Sequence, residues 1–267
     1  MDWIDIKGLQ DEEQQIIETY NKINEETRLN LSNSSSIEFL TNTKYVENML
    51  ENKSSILELG AGTGVYSIYF ANKGFDVTAV ELSKRNVSIF KSKIPDTISV
   101  DVITGNALKM DYLCDKYFDA VLSFGPLYHI SSFKDRINCL KESLRVLKDD
   151  GYIFITLINN DMVPMVEMQY QSNYFTSSCF DHETFKMENF PYIFHTLDEA
   201  RSLINASGIK IIKEIASDGL SRICAKEIDQ LDRKNFEEYK KFHFYMCENP
   251  SFLSATSHFL FVGEKSR

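Results

Sequence analysis

The stretch ILELGAGTGV, Ile56 to Val65, begins as a short apolar run and continues into three alternating glycines. An apolar run followed by such a loop and then by a helical pattern predicts a strand that turns sharply into a helix. Glycine suits this turn because a ligand can approach the bare backbone while amide groups at the start of the helix face that ligand. A dinucleotide fingerprint has glycine at the sixth position of the motif, where this chain has Val65. The loop therefore predicts a ligand site and argues against NAD.

Short apolar runs bounded by turn residues alternate with amphipathic segments of helix length along most of the chain. This alternation is typical of an α/β fold with a parallel sheet built from strand-helix-strand units. The predicted strands are Ile56–Leu59, Val77–Val80, Ser99–Ile103, Ala120–Phe124, Tyr152–Leu157, Ile209–Ala216 and Ser257–Val262. The predicted helices are Gln10–Arg28, Ile37–Leu50, Val65–Lys73, Lys84–Lys93, Lys134–Leu147, Asp198–Ala206 and Glu227–Met246. Asp149 to Gly151 is predicted to form a turn before the fifth strand.

Polar residues follow the second and third predicted strands. Glu81 ends the second strand, where a carboxylate can accept hydrogen bonds from both ribose hydroxyls of an adenosine. Gly105-Asn106-Ala107 follows the third strand, where the short polar side chain could bond the exocyclic amine of adenine. Taken alone, this triplet is equally consistent with an ordinary turn. Because open parallel sheets bind ligands at the carboxyl ends of their strands, the three features together predict an adenosine site.

Five motifs together resemble the class I, Rossmann-like S-adenosylmethionine-dependent methyltransferases of the small-molecule type. They are ELGAGTG at 58–64, the acidic strand end at Glu81, GNA at 105–107, FDAVLSF at 118–124 and RVLKDDGY at 145–152. The resemblance implies a doubly wound, seven-stranded, mostly parallel sheet whose last strand is antiparallel. It also implies that S-adenosylmethionine binds across the glycine loop and that S-adenosylhomocysteine is the product.

The resemblance assigns roles to residues of the cofactor site. In this family the acidic residue that opens the glycine motif helps to hold the methionine part, and Glu58 occupies that position here. The adenine position is commonly aspartate, whereas this chain has Asn106, which leaves the hydrogen bond possible. The predicted cofactor-binding set comprises Glu58, Gly60, Ala61, Gly62, Gly64, Glu81, Leu82, Asn106, Ala107 and Ser123.

The segment after the fourth strand, SFGPLYH at 123–129, is expected to face the methyl acceptor. Methyltransferases that act on amide nitrogens of DNA or protein often carry Asp/Asn-Pro-Pro-Tyr here, and this chain departs from that pattern. The GPLYH stretch is similar to a subgroup of small-molecule methyltransferases. His129 is a candidate general base and Tyr128 a candidate for orienting the acceptor, although a histidine after a strand is more often structural.

Two segments are expected to cover the acceptor pocket of this single domain, 1–267: an N-terminal helical lid, 1–50, and an inserted cap, 159–195. In the family's usual arrangement both fold over the carboxyl edge of the sheet. The predicted pocket residues are Tyr20, Arg28, Tyr128, His129, Tyr170, Tyr174 and His195. Met165, Met168, Phe175 and Phe180 are expected to form the core of the cap in preference to a cage for a methylammonium group.

Composition limits the partners. The chain has 39 acidic and 29 basic residues and a formal net charge of −10, which disfavours nucleic acid and anionic membranes. Its five cysteines lack the paired spacing of a zinc site or a disulfide framework, and in-line methyl transfer itself requires no metal. No leader or membrane-spanning pattern is visible, so a cytoplasmic monomer or homodimer with a small-molecule substrate is expected.

Three alternatives stay open at this stage. An NAD-linked oxidoreductase shares the fold and the ribose carboxylate, although Val65 counts against it. A non-catalytic cofactor-binding module would keep the adenosine site without acceptor chemistry. A methyltransferase acting on a protein or an RNA would need no local motif, and the missing basic patch disfavours the RNA substrate.

Overall fold

A computed structural model describes residues 3–22 and 32–266 of the chain. The strands are β1 Ser55–Leu59, β2 Asp76–Glu81, β3 Asp101–Thr104, β4 Phe118–Ser123, β5 Leu147–Asn159, β6 Phe194–His195, β7 Ile209–Ala216 and β8 His258–Lys265. The α-helices are α1 Trp3–Lys7, α2 Glu12–Lys22, α3 Asn33–Met49, α4 Val65–Asn72, α5 Lys84–Lys93, α6 Phe133–Val146, α7 Val163–Glu167, α8 Leu197–Ala206, α9 Ala225–Asp229 and α10 Arg233–Met246.

The strands form one sheet in the order β3-β2-β1-β4-β5-β8-β7, with the short β6 paired to the end of β5. All neighbours from β3 to β5 are parallel, and β8 runs antiparallel to both β5 and β7. The doubly wound, mostly parallel sheet with an antiparallel last strand is therefore confirmed. The strand order reverses between β1 and β4, which is where sheets of this kind bind ligands.

Helices cover both faces of the sheet because alternate strand residues point to opposite sides. Leu57, Leu59 and Val121 belong to one apolar cluster, which also contains buried residues of α6 and α8. Ile56 and Leu122 belong to the opposite cluster, together with buried residues of α3 and α4. A strand buried on both faces fixes the glycine loop that follows it in a rigid position.

Several helices begin at residues whose side chains bond the first helical turn. Ser83, Ser132 and Thr196 precede α5, α6 and α8, and each accepts a hydrogen bond from the amide three residues on. These bonds satisfy amides that have no partner within the helix. None of the helices within 3–22 and 32–266 has the length and apolar character that crossing a membrane requires.

The fifth strand differs from the prediction. The expected turn at Asp149 to Gly151 lies inside β5, where the register with β4 shifts between the pairs Phe118–Leu147 and Ala120–Tyr152. The extra residues are accommodated as a bulge, and a Cβ on Gly151 would lie 2.8 Å from the Asp119 carbonyl oxygen. Glycine here permits close strand approach, so a turn-like sequence marks a bulge instead.

Two further features of the fold differ from the prediction. The single helix expected from Glu227 to Met246 is two helices, α9 and α10, because Asp232 caps the start of α10 by accepting a hydrogen bond from the Asn235 amide. The sheet has eight strands instead of the predicted seven, because the two-residue strand β6 pairs with Ile158 and Asn159 at the end of β5. A two-residue strand gives no periodic sequence signal.

The segment between β5 and β6 forms a cap with its own small core. Tyr174, Phe180, Met187 and Phe194 are buried against one another, and an isolated bridge joins Phe180 to Met187. Of the residues expected to form this core, Phe180 does so. Met165, Met168 and Phe175 are instead between 39% and 47% exposed, because the buried side of the cap is filled by other aromatic residues.

Candidate cofactor and acceptor site

A cavity opens at the carboxyl edge of the sheet, where β1 and β4 diverge. The space that it encloses, together with the solvent at its open mouth, measures about 990 Å³. The lining residues are Ile16, Glu58, Gly60, Ala61, Gly62, Thr63, Val65, Tyr66, Val80, Glu81, Leu82, Asn86, Gly105, Asn106, Ala107, Phe124, Gly125, Pro126, Tyr128, His129 and Ile130.

The glycine loop forms the floor of the cavity. Gly62 and Gly64 have φ of +55° and +86°, a region that side-chain-bearing residues rarely adopt. A Cβ on Gly62 would meet no atom within 4 Å, so its backbone faces open space that a ligand can fill. Gly64 does not line the cavity, and a Cβ there would lie 2.2 Å from the Phe90 ring. Its role in this structure is therefore the packing of α4 against α5.

Glu81 ends β2 and holds the glycine loop. Its carboxylate accepts hydrogen bonds from the amides of Gly62 at 2.9 Å and Ser83 at 2.8 Å, and from the Asn86 side chain at 3.3 Å. Burial raises the pKa of Glu81 in spite of these three bonds, which lower it. A carboxylate with two oxygens can accept about four bonds, so accepting capacity is left toward the cavity.

Glu58 is buried at the other end of the glycine loop. The Ser67 hydroxyl, one turn into α4, donates a hydrogen bond to Glu58 Oε2. Burial raises the pKa of the Glu58 carboxyl to about 8, because the lowering by Ser67 does not offset the loss of solvent. A buried acid that lines a cavity is poised to ionise when a cationic group binds beside it.

Asn106 connects the loop after the third strand to helix α2. Its Oδ1 accepts a hydrogen bond from the Leu108 amide at 2.8 Å, and its Nδ2 donates to the Glu13 carboxylate in α2. Ile16, in the same helix, lines the cavity. Helix α2 thus covers the side of the cavity that Asn106 and Ala107 border.

The turn after β4 forms the opposite wall. The Tyr128 hydroxyl donates to the Phe124 carbonyl at 2.8 Å, which closes the turn on itself. His129 is buried, and burial lowers its pKa to about 4 although a hydrogen bond to the Pro191 backbone raises it. The Ile193 amide donates to the Tyr128 carbonyl at 2.8 Å. Two bonds therefore fix this turn to the end of the cap.

The structure brings most of the predicted cofactor residues together. Glu58, Gly60, Ala61, Gly62, Glu81, Leu82, Asn106 and Ala107 all line the cavity. Ser123 does not line it, although it ends β4 beside the cavity, and its buried hydroxyl has no hydrogen-bond partner among the described residues. Of the predicted pocket residues, Tyr128 and His129 line the cavity.

The remaining predicted pocket residues are placed elsewhere or fall outside the description. Tyr170 is 79% exposed, and Tyr174 is buried in the core of the cap. His195 is buried in β6 away from the cavity. The cap turns these side chains outward or into its own core, so aromatic content alone did not locate a pocket wall. Tyr20 belongs to α2 but its side chain is not described, and Arg28 lies outside the described residues.

Some lining residues were missed from the sequence. Tyr66 and Phe124 contact each other with ring centroids 4.8 Å apart and form an aromatic wall between the glycine loop and the β4 turn. Asn86 reaches Glu81 from the first turn of α5. The sequence signal for these residues was their position next to predicted motifs, because aromatic and amide side chains are also common in helices and strands that bind no ligand.

Comparison with known proteins agrees with this geometry. Residues 57–155 match the family model described as a methyltransferase domain. The putative methyltransferase YqeM of Bacillus subtilis is 33% identical over 112 residues, which are 42% of this chain and 45% of that protein. A demethylmenaquinone methyltransferase of Paenarthrobacter aurescens is 33% identical over 111 residues, 41% of each chain. The chain thus spans less than half the length of these two relatives.

Solved structures share the fold over nearly the whole chain. The PH0226 protein of Pyrococcus horikoshii superposes with a TM-score of 0.60 at 16% identity, covering 93% of this chain and 99% of that one. An S-adenosylmethionine-dependent methyltransferase of Thermotoga maritima gives a TM-score of 0.56 at 18% identity, covering 92% and 97%. Residues 57–155 therefore resemble a methyltransferase domain, and the chain shares the fold of solved S-adenosylmethionine-dependent methyltransferases.

Proposed function

We propose that this protein transfers the methyl group of S-adenosylmethionine to a nitrogen or oxygen atom of a small molecule. The observation that carries the proposal is that one cavity joins two half-sites. Its floor is the glycine loop with Glu58 and Glu81, and its wall is the turn that carries His129.

The residues present fit S-adenosylmethionine. The open space at Gly62 admits a ligand against the backbone, and Glu81 faces that loop with accepting capacity for ribose hydroxyls. Glu58, protonated at neutral pH in the free protein, would lose its proton to pair with the ammonium group of the methionine part. Asn106 and Ala107 border the space proposed for adenine.

When bound, the cofactor supplies an electrophilic methyl group on a sulfonium. The chain's own residues then align the acceptor and exclude water, since in-line displacement depends mainly on orientation. Tyr66 and Phe124 give the acceptor side an aromatic wall. The Tyr128 hydroxyl, which donates a hydrogen bond to the Phe124 carbonyl, holds the turn in shape.

The protonation state of His129 affects which type of methyl acceptor the site suits. With a pKa of about 4 the imidazole is neutral near pH 7 and is a weak base. One ring nitrogen donates to the Pro191 backbone, so the other carries a lone pair that can accept a hydrogen bond from the acceptor. A weak base suits a neutral amine, which attacks through its existing lone pair and loses its proton afterwards. We therefore place amines ahead of alcohols among candidate acceptors.

The test combines binding with product detection. Calorimetric titration of the purified protein with S-adenosylmethionine, S-adenosylhomocysteine and NAD is followed by incubation with small amines, phenols and acids. Formation of S-adenosylhomocysteine and a methylated product is detected by mass spectrometry. Micromolar binding of the first two ligands, with methylation of at least one small acceptor, is the expected result.

The other outcomes separate the alternatives. Binding of NAD alone would overturn the proposal in favour of an oxidoreductase. No binding of any of the three would indicate a domain without cofactor function. Cofactor binding with methylation of RNA or protein, and of no small molecule, would retain the methyltransferase assignment and overturn the small-molecule acceptor.

A further inference from the structure

A second polar cluster lies at the same edge of the sheet, under helix α3. Asp218 follows β7, His258 begins β8 and Glu38 lies on α3. Because β7 is parallel to β5 and β8 is antiparallel to both, the end of β7 and the start of β8 meet at the carboxyl edge. Glu38 and Asp218 are both buried, and His258 is nearly so.

The Asp218 carboxylate is rigidly positioned. Its Oδ1 accepts hydrogen bonds from the Thr256 hydroxyl at 2.6 Å and from the amides of Ser257 and His258 at 2.8 and 3.0 Å. These bonds fix the turn into β8 and direct Oδ2 toward the His258 ring. A group held in this way is preorganised for binding, since little freedom remains to be lost.

The separations between the three side chains suit a common ion. His258 Nδ1 lies 2.9 Å from Asp218 Oδ2 and 3.7 Å from Glu38 Oε2, and all three candidate atoms lie within 4.8 Å of one another. Two ligand atoms about 2.1 Å from an ion lie about 3.0 Å apart at right angles and about 3.4 Å apart at the tetrahedral angle. The two measured distances fall on either side of the tetrahedral value.

Charge also favours a cation here. Glu38 and Asp218 bring two carboxylates to a place removed from solvent, where negative charge attracts a cation strongly. The neighbouring Ser257 hydroxyl is buried and has no hydrogen-bond partner among the described residues. One imidazole with two carboxylates is a ligand set that Zn²⁺ and Mn²⁺ accept.

We propose that Glu38, Asp218 and His258 bind a divalent transition-metal ion, and that this ion fastens helix α3 to the edge of the sheet. One turn beyond Glu38, Asn42 accepts a hydrogen bond from Ser217 at 2.7 Å and donates to the Tyr66 hydroxyl at 3.0 Å. Tyr66 lines the cavity. An ion at Glu38 therefore stabilises the helix that positions one wall of the proposed methyl-transfer site, without taking part in the reaction.

The experiment measures metal binding directly. The full chain, freed of metal with a chelator and then desalted, is titrated with Mn²⁺ by calorimetry, because Mn²⁺ avoids the exposed thiols that would compete for Zn²⁺. We expect one equivalent to bind, and the melting temperature to rise by about 5–10 °C at a hundredfold excess over the dissociation constant.

Variants assign the site. Glu38→Gln should weaken Mn²⁺ binding at least about tenfold, whereas Glu47→Gln in the same helix should leave it unchanged. His258→Gln provides a second test, and circular dichroism checks that each variant is folded. Absence of binding to the wild-type protein would overturn the proposal and show that His258 joins the two carboxylates as an internal ion pair. Equal affinity in wild type and folded Glu38→Gln would overturn it as well.

Discussion

The Gly62 amide donates a hydrogen bond of 2.9 Å to Oε2 of Glu81, and this bond joins the glycine loop to the end of the neighbouring strand. The two residues are 19 positions apart and belong to different strand-helix units. The carboxylate that is proposed to bind ribose therefore also sets the shape of the loop beside it. Loss of its charge should affect both functions together.

We predict that Glu81→Gln weakens S-adenosylhomocysteine binding roughly 10- to 100-fold. The neutral amide keeps the size of the side chain but replaces charge-assisted hydrogen bonds, each of which is worth about 1.5–3 kcal/mol. Calorimetric titration measures the effect. Asp76→Asn, at the exposed start of the same strand, is the matched control and should bind like the wild type. Unchanged affinity in Glu81→Gln would remove this residue from the proposed ribose site.

Glu58 should make stability depend on pH. Its pKa in the folded protein, about 8, lies above the ordinary value of 4.5, so between these values the folded state binds more protons than the unfolded state. The free energy of unfolding should therefore fall as the pH rises from about 5 to 8, by an amount on the order of a few kcal/mol. Glu58→Gln should lack this part of the decline.

Urea denaturation at several pH values, without cofactor, measures the difference between wild type and Glu58→Gln. Glu51→Gln changes an exposed glutamate just before β1 and should follow the wild-type curve. If the wild type and Glu58→Gln show parallel curves from pH 5 to 8, the raised pKa of Glu58 is not present in solution.

Two glycines with similar backbone angles should respond differently to alanine. Gly64 and Gly74 have φ of +86° and +91°, so both substitutions place a side chain in the left-handed region that favours glycine. A Cβ at Gly64 would also lie 2.2 Å from the Phe90 ring, whereas a Cβ at Gly74 meets nothing within 4 Å. Gly64→Ala should therefore cost about 1–3 kcal/mol more stability than Gly74→Ala, measured by chemical denaturation. Equal losses would show that Phe90 moves aside freely.

His129 should stay neutral through the physiological range. Burial lowers its pKa to about 4, below the ordinary value of 6.5, so the unfolded state takes up a proton first as the pH falls. The contribution of His129 to the free energy of unfolding should be fully present above about pH 6.5 and be lost progressively toward pH 4. Nuclear magnetic resonance of the imidazole, assigned with His129→Gln, measures the titration. A midpoint near 6.5 would restore His129 as a general base and would move alcohols up among the candidate acceptors.

The sequence was most informative where chemistry and chain position coincide. Gly60 and Gly62 could be predicted because alternating glycines mark a place where a ligand approaches the backbone. Glu81 could be predicted because it ends a recognisable strand with a carboxylate. Their convergence on one cavity follows from the parallel sheet, whose strands all end at the same edge. The same reasoning identified the turn that carries Tyr128 and His129.

What the sequence did not reveal depends on contacts between distant segments. The cap is rich in aromatic residues, but whether Tyr170 or Tyr174 faces the cavity depends on how the cap packs. The sequence of the cap has neither the helical nor the strand period from which such packing could be predicted. Glu38 lies far from Asp218 and His258 in the sequence, so the proximity of these three residues could not be expected from spacing. The turn residues at Asp149 to Gly151 were ambiguous because a bulge uses the same residue types as a turn.

The cap enters and leaves the sheet at adjacent points, since β5 and β6 pair through Ile158–Phe194 and Asn159–His195. Its core consists of its own residues. It contacts the turn after β4 through backbone hydrogen-bonding groups of Pro191 and Ile193 and through the Tyr192 ring. Side chains in such a segment can therefore change without altering the register of any long strand. The glycine loop and Glu81 lie outside this segment, so substitutions within it leave their positions unchanged.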